Sequence, residues 1–118
     1  MTETENLVKS ITEGIQEKKG KKIIIVDMTK IEAVCSYFVI CEGRSNTQIL
    51  SITDSIEEYV RKNTGVKPFA TDGQNNATWV AMDYGDVIVH IFEPETRAFY
   101  NLEHLWSDAK LTEVTDLE

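Results

Sequence analysis

A chain of 118 residues with 42% hydrophobic and 27% charged side chains has the composition of one globular domain and is too short for two ordinary cores. Twelve basic against 20 acidic residues leave a net charge of -8, which argues against non-specific binding to phosphate backbones and leaves a basic protein partner open. Apolar runs such as Ile23 to Val26 are too short to cross a bilayer, and no signal peptide fits the acidic N-terminus, so a cytoplasmic chain without membrane contact is expected.

In chain order, Leu7, Val8, Ile11 and Ile15 form an apolar stripe at helical spacing. Thr2 with Glu5 makes a capping box ahead of it, and Lys18, Lys19 and Gly20 offer a cationic last turn and a stop. Ile23-Ile24-Ile25-Val26 and Tyr37-Phe38-Val39-Ile40-Cys41 read as buried strands around a connector from Thr29 to Ser36. Residues 45–64 are predicted to be a surface helix. Ser45 and Gln48 form its capping box, Ile49, Ile52, Ile56 and Tyr59 with Val60 share one face, and Gly65 and Pro68 end it. A short extended piece near Lys67 to Thr71 and a polar loop follow. Trp79 to Met82 and Val87 to Phe92 then flank Asp83-Tyr84-Gly85-Asp86 as a hairpin. Pro94 opens a helical turn through Arg97 and Tyr100, Leu102 to Trp106 suggest another, and residues 111–118 read as a frayed tail after a domain ending near 110. The expected architecture is a single α+β domain with a mixed five-stranded sheet and helices packed on it.

Few residues offer catalytic chemistry. There is no GxGxxG and no Walker A sequence. Gly43-Arg44-Ser45, between a strand and a helix, could greet a phosphate with backbone N–H groups, and a nucleotidyltransferase-like nucleotide-binding enzyme is the alternative function this turn raises. The paired strand carboxylates that such an enzyme needs for two metal ions are missing, since the strand from Trp79 carries only Asp83. Asp83 and Asp86 suit a turn, and His90 shares strand parity with Ile88 and Phe92 as a core or interface histidine. Cys35 and Cys41 read as reduced structural thiols. With His90 and His104 they make no zinc spacing, so no metal and no cofactor are expected. The segment from Glu93 to Trp106 gathers Phe99, Tyr100 and Trp106 with Arg97 and Glu103, the residue types of interaction hot spots.

The sequence resembles the ribosomal silencing factors, or Iojap-related proteins. The resemblance is carried by Tyr37-Phe38-Val39-Ile40, Gly43, Ser45, Asp72-Gly73, Trp79-Val80, the run from Asp83 to Phe92, and the run from Arg97 to Trp106. It differs where members often have Glu before the Gly, here Asp72, and a second Asp beside the strand, here Ser36. The resemblance implies a fold similar to nucleotidyltransferases with the active site lost. It also implies a non-catalytic role: binding the large ribosomal subunit through its L-fourteen-type protein, with little direct rRNA contact, and blocking the small subunit when nutrients run short. Organellar relatives assist large-subunit assembly. The expected partner-binding residues are Trp79, Asp83, Asp86, His90, Arg97, Tyr100, Glu103 and Trp106, and exposed aromatics are compatible with a homodimer when the protein is free.

Overall fold

The first helix forms where its cap dictates. In the computed structural model, which describes residues 2–116, α1 (Glu3–Glu17) starts at Thr2. The Thr2 hydroxyl accepts the Glu5 N–H at 3.0 Å and the Thr2 N–H donates to the Glu5 carboxylate at 2.9 Å, so the predicted capping box is present. The cationic last turn is not. The helix ends at Glu17, leaving Lys18 and Lys19 beyond it, with Lys19 at a φ of 59°.

Strands β1 (Lys21–Asp27) and β2 (Tyr37–Glu42) pair antiparallel, and α2 (Asn46–Thr64) follows. Ser45 caps α2 through the Gln48 N–H, and Gly65 closes it in the left-handed conformation at a φ of 75°. The short β3 (Ala70–Asp72) precedes the hairpin of β4 (Trp79–Asp83) and β5 (Val87–Phe92). Then come α3 (Pro94–Tyr100), a 3-10 turn (Leu102–His104) and β6 (Lys110–Val114). The sheet order is β3-β4-β5-β2-β1-β6, with β2 and β5 parallel and every other pair antiparallel.

The sheet therefore has six strands, not five. The chain from Lys110 to Val114, expected to lie at or in a frayed tail, pairs in full with Ile23 to Asp27. Its only apolar residues, Leu111 and Val114, are three apart and so lie on opposite faces, and every residue but Val114 is exposed, which suits a polar edge strand. Residues 117 and 118 of that tail lie outside the described part.

Strand alternation sorts the core into two layers. Val39, Cys41, Val80, Met82, Val89 and Ile91 face α1 and α2, while Phe38, Ile40 and Phe92 face the opposite side with Val26 and Met28. That second side is covered by the connector through Ile31, Ala33 and Cys35, and by Leu102 and Trp106. Among the described residues no helix is long and apolar enough to cross a membrane.

The two long helices touch at Gly14. A Cβ there would lie 2.9 Å from the Ile56 Cα, and the Ser55 hydroxyl donates to the Gly14 carbonyl at 2.8 Å. Backbone cannot yield as a side-chain tip can. Gly14→Ala gains up to about 1 kcal/mol in helix propensity but incurs an overpacking cost of about 1–3 kcal/mol. It is expected to lower the urea midpoint, whereas alanine at an unopposed helical glycine would raise it.

Candidate functional site

Trp79 opens β4 on the side away from the long helices and pairs with Phe92 across the hairpin. Its backbone is held by the preceding loop. Gly73, at a φ of 97°, passes so close that a Cβ would meet the Trp79 carbonyl oxygen at 2.0 Å, which makes glycine obligatory there. The half-buried indole stacks on Phe92 at 5.1 Å and meets Tyr100 at 4.6 Å, and its Nε1–H donates to His90 Nδ1 at 3.0 Å. His90, 7% exposed, sits edge-on to Phe38 at 4.7 Å. Burial pushes its pKa down to about 4, so the ring is neutral. Because Nδ1 accepts, the bonding pattern assigns the ring proton to Nε2, which is buried and has no partner among the described residues.

Arg97 is the anchor of α3. Only 5% exposed, its guanidinium donates through Nη1 to the Lys22 carbonyl at 2.6 Å and to Glu42 at 3.2 Å. Nε and Nη2 grip one oxygen of Glu103 at 3.2 and 3.0 Å. One planar cation so joins β1, β2, α3 and the 3-10 turn. The Lys22 carbonyl is available because β1 bulges there: Lys22 has a φ of 51°, and its N–H donates to Asp116 at 2.8 Å.

With Arg97 turned inward, the next residues of α3 face out. Phe99 is 81% exposed, Tyr100 49%, and Leu105 in the following turn 59%. The Phe99 and Tyr100 rings meet edge to face at 5.0 Å. Asn101 ends the helix at a φ of 51°, and its N–H donates to the Arg97 carbonyl. Trp106 is half-buried against Phe38 at 5.5 Å.

The eight residues expected to contact a partner therefore separate into three groups. Trp79, Tyr100 and Trp106 lie around one aromatic cluster, with Tyr100 on the surface. His90 lies beneath the Trp79 indole and Arg97 with Glu103 in the buried ion cluster, so His90 and Arg97, 7% and 5% exposed, stand below the surface expected of them. Asp83 and Asp86 flank the turn at the other end of the hairpin, about 16 Å of strand away from α3. Asp83 accepts the Gly85 N–H at 2.8 Å, and Asp86 accepts the Thr4 hydroxyl at 3.4 Å. Phe99 stands among the hot-spot residue types of the sequence, but neither it nor the outward-facing Leu105 is among the eight expected contacts. The signal for Phe99 is helical phase: two residues after an inward Arg97 it falls on the opposite side of α3, while Tyr100, three residues on, stays near the Arg97 side and is only half exposed.

The Gly43-Arg44-Ser45 turn is already occupied by its own chain. Gly43 N–H donates to the Phe92 carbonyl at 2.9 Å, Arg44 N–H to the Gln48 side chain at 2.6 Å, and the Ser45 hydroxyl accepts from Gln48. Both cysteines are free. Cys35 donates to the Tyr37 carbonyl at 3.2 Å, and burial pushes the fully enclosed Cys41 thiol up to about 12.

A mixed sheet with two helices on one face and a pinned aromatic helix-turn on the other defines a small α+β protein whose most distinctive surface is apolar and exposed. The profile of the family described as "Ribosomal silencing factor during starvation" matches residues 1–118. The chain is 36% identical over 109 residues to "Ribosomal silencing factor RsfS" of Bacillus subtilis, covering 92% of each. It is 33% identical over 100 residues to "Protein Iojap, chloroplastic" of Zea mays, covering 85% of this chain and 43% of that one. A crystal structure of a Chromobacterium violaceum protein superimposes with a TM-score of 0.84 at 29% identity, over 97% of this chain and 94% of that one. The chain belongs to the ribosomal silencing factor family.

Proposed function

We propose that this protein binds the large ribosomal subunit through a basic ribosomal protein of the L-fourteen type and blocks the small subunit sterically, lowering translation when nutrients are limiting. The observation that carries the reading is the apolar row of Phe99, Tyr100 and Leu105, displayed on two short turns that Arg97 pins to the sheet. Exposed aromatics held rigidly lose little entropy on docking and exclude water well. The net charge of -8 disfavours RNA as the main contact and favours a basic protein patch, with Asp83 and Asp86 as a separate acidic contribution. No catalytic step is needed, and the protein acts in the cytoplasm as a space-filling wedge. A second copy of the chain covers the same apolar row when no subunit is present.

Co-sedimentation with purified large subunits and a subunit-joining assay test the reading. Tyr100→Ala and Phe99→Ala are each expected to weaken subunit binding by about 10- to 100-fold, the effect of losing an interface anchor. Circular dichroism should be unchanged, since both side chains are exposed. Full inhibition of joining by the double variant would overturn the proposal.

A further inference from the structure

Trp79 is held by a directed bond as well as by stacking, and the residue that supplies the bond is oddly chosen for its place. His90 lies on the apolar side of β5 between Ile88 and Phe92, where an aliphatic or aromatic side chain would fill the same space with no polar atom to satisfy. A buried ring nitrogen without a partner costs the fold, so packing alone does not account for a histidine here. His90 has its Nε2–H buried without a partner among the described residues, and its other nitrogen is engaged by the Trp79 indole at 3.0 Å.

We infer that His90 is a positioning residue for the docking surface: its Nδ1 fixes the rotation of the Trp79 indole, and the indole in turn supports Tyr100. The inference rests on the docking reading above. The contacts form one chain, from His90 to Trp79 by the hydrogen bond and from Trp79 to Tyr100 by ring contact at 4.6 Å, with Phe92 stacked on the indole at 5.1 Å. An indole rotated away from Nδ1 would leave its N–H without an acceptor and withdraw the ring from Tyr100. Tyr100 is half exposed, so that loss of support occurs at the surface itself.

Three substitutions separate the acceptor from the volume. In His90→Asn the amide oxygen stands near the position of Nδ1. In His90→Gln the oxygen moves out toward the position of Nε2, and His90→Leu has no acceptor. The indole N–H resonance of Trp79, assigned by its persistence in Trp106→Phe, reads the bond in the free protein. Co-sedimentation with purified large subunits reads docking. His90→Leu and His90→Gln are expected to shift that resonance to the position of an unbonded indole and to weaken subunit binding about tenfold, while His90→Asn leaves the resonance in place and binding within about threefold of the parent. Should the leucine variant fail to fold, the asparagine and glutamine pair carries the same comparison. An indole resonance that stays put in His90→Gln overturns the inference, as does one that shifts while subunit binding is unchanged; the docking reading survives either result. Failure of the parent protein itself to co-sediment overturns the docking reading and this role with it, even if the indole still responds.

Discussion

Replacing Arg97 with alanine is expected to lower the stability of the fold by about 3–5 kcal/mol, because it leaves two carboxylates facing each other almost out of water. Glu42 and Glu103 have side chains only 13% and 11% exposed, and Arg97 is the cation that the structure sets between them. The Lys22 carbonyl loses its 2.6 Å donor at the same time. For a domain of this size the melting temperature should fall by more than about ten degrees. Arg97→Lys should recover only part of the loss, since an ammonium cannot reach the Lys22 carbonyl, Glu42 and Glu103 in one plane. Combining Arg97→Met with Glu42→Gln and Glu103→Gln should recover most of it, because no charge then remains buried. Thermal unfolding of the variants decides the matter. A melting temperature for Arg97→Ala within two or three degrees of the parent would show that the cluster is solvated.

Acid is expected to act through His90. In the unfolded chain the imidazole titrates near its ordinary value of 6.5, and in the folded protein burial pushes that down to about 4. Above pH 6.5 neither state binds the proton and stability is unaffected. As pH falls below 6.5 the unfolded state takes the proton first, so stability declines until the folded state also binds it near pH 4. The integrated loss is about 3 kcal/mol. Asp27 adds a loss of the same sign lower on the pH scale, because its carboxylate accepts from the Thr29 hydroxyl and is held below the ordinary value. Urea unfolding from pH 7 to pH 4 in the parent and in His90→Asn would isolate the histidine. The slope between 6.5 and 4 should flatten in the variant.

How far the sequence discloses this structure depends on the distance over which each feature is determined. Helix α2 was legible because its signals are local: a Ser at the start, isoleucines at helical spacing, and a Gly whose left-handed conformation ends it. The capping box of α1 was legible for the same reason. Strand β6 was not, because an edge strand buries one face weakly, and Lys110-Leu111-Thr112-Glu113-Val114 reads as polar until β1 is placed beside it. Strand parity placed His90 on an apolar face, yet its bond to Trp79 needed the pairing of β4 with β5. Arg97 was the hardest. Its partners come from Glu42 and from the carbonyl of a bulged Lys22, 55 and 75 residues away, so a buried structural cation looked like a surface contact. Pattern alone also could not place Phe99 outside, since an aromatic is expected within.

Strand β6 has a consequence in time as well as space. It pairs with β1, far from it in sequence, and the bulge that presents the Lys22 carbonyl to Arg97 is tied to Asp116. Local contacts can form α1, the β1–β2 pair and α2 early, whereas β6 must close a loop of more than eighty residues, from Asp27 to Lys110, before it pairs with β1. That edge pairing is therefore the part of the sheet expected to open first, and with it the tether on the bulge whose carbonyl Arg97 holds.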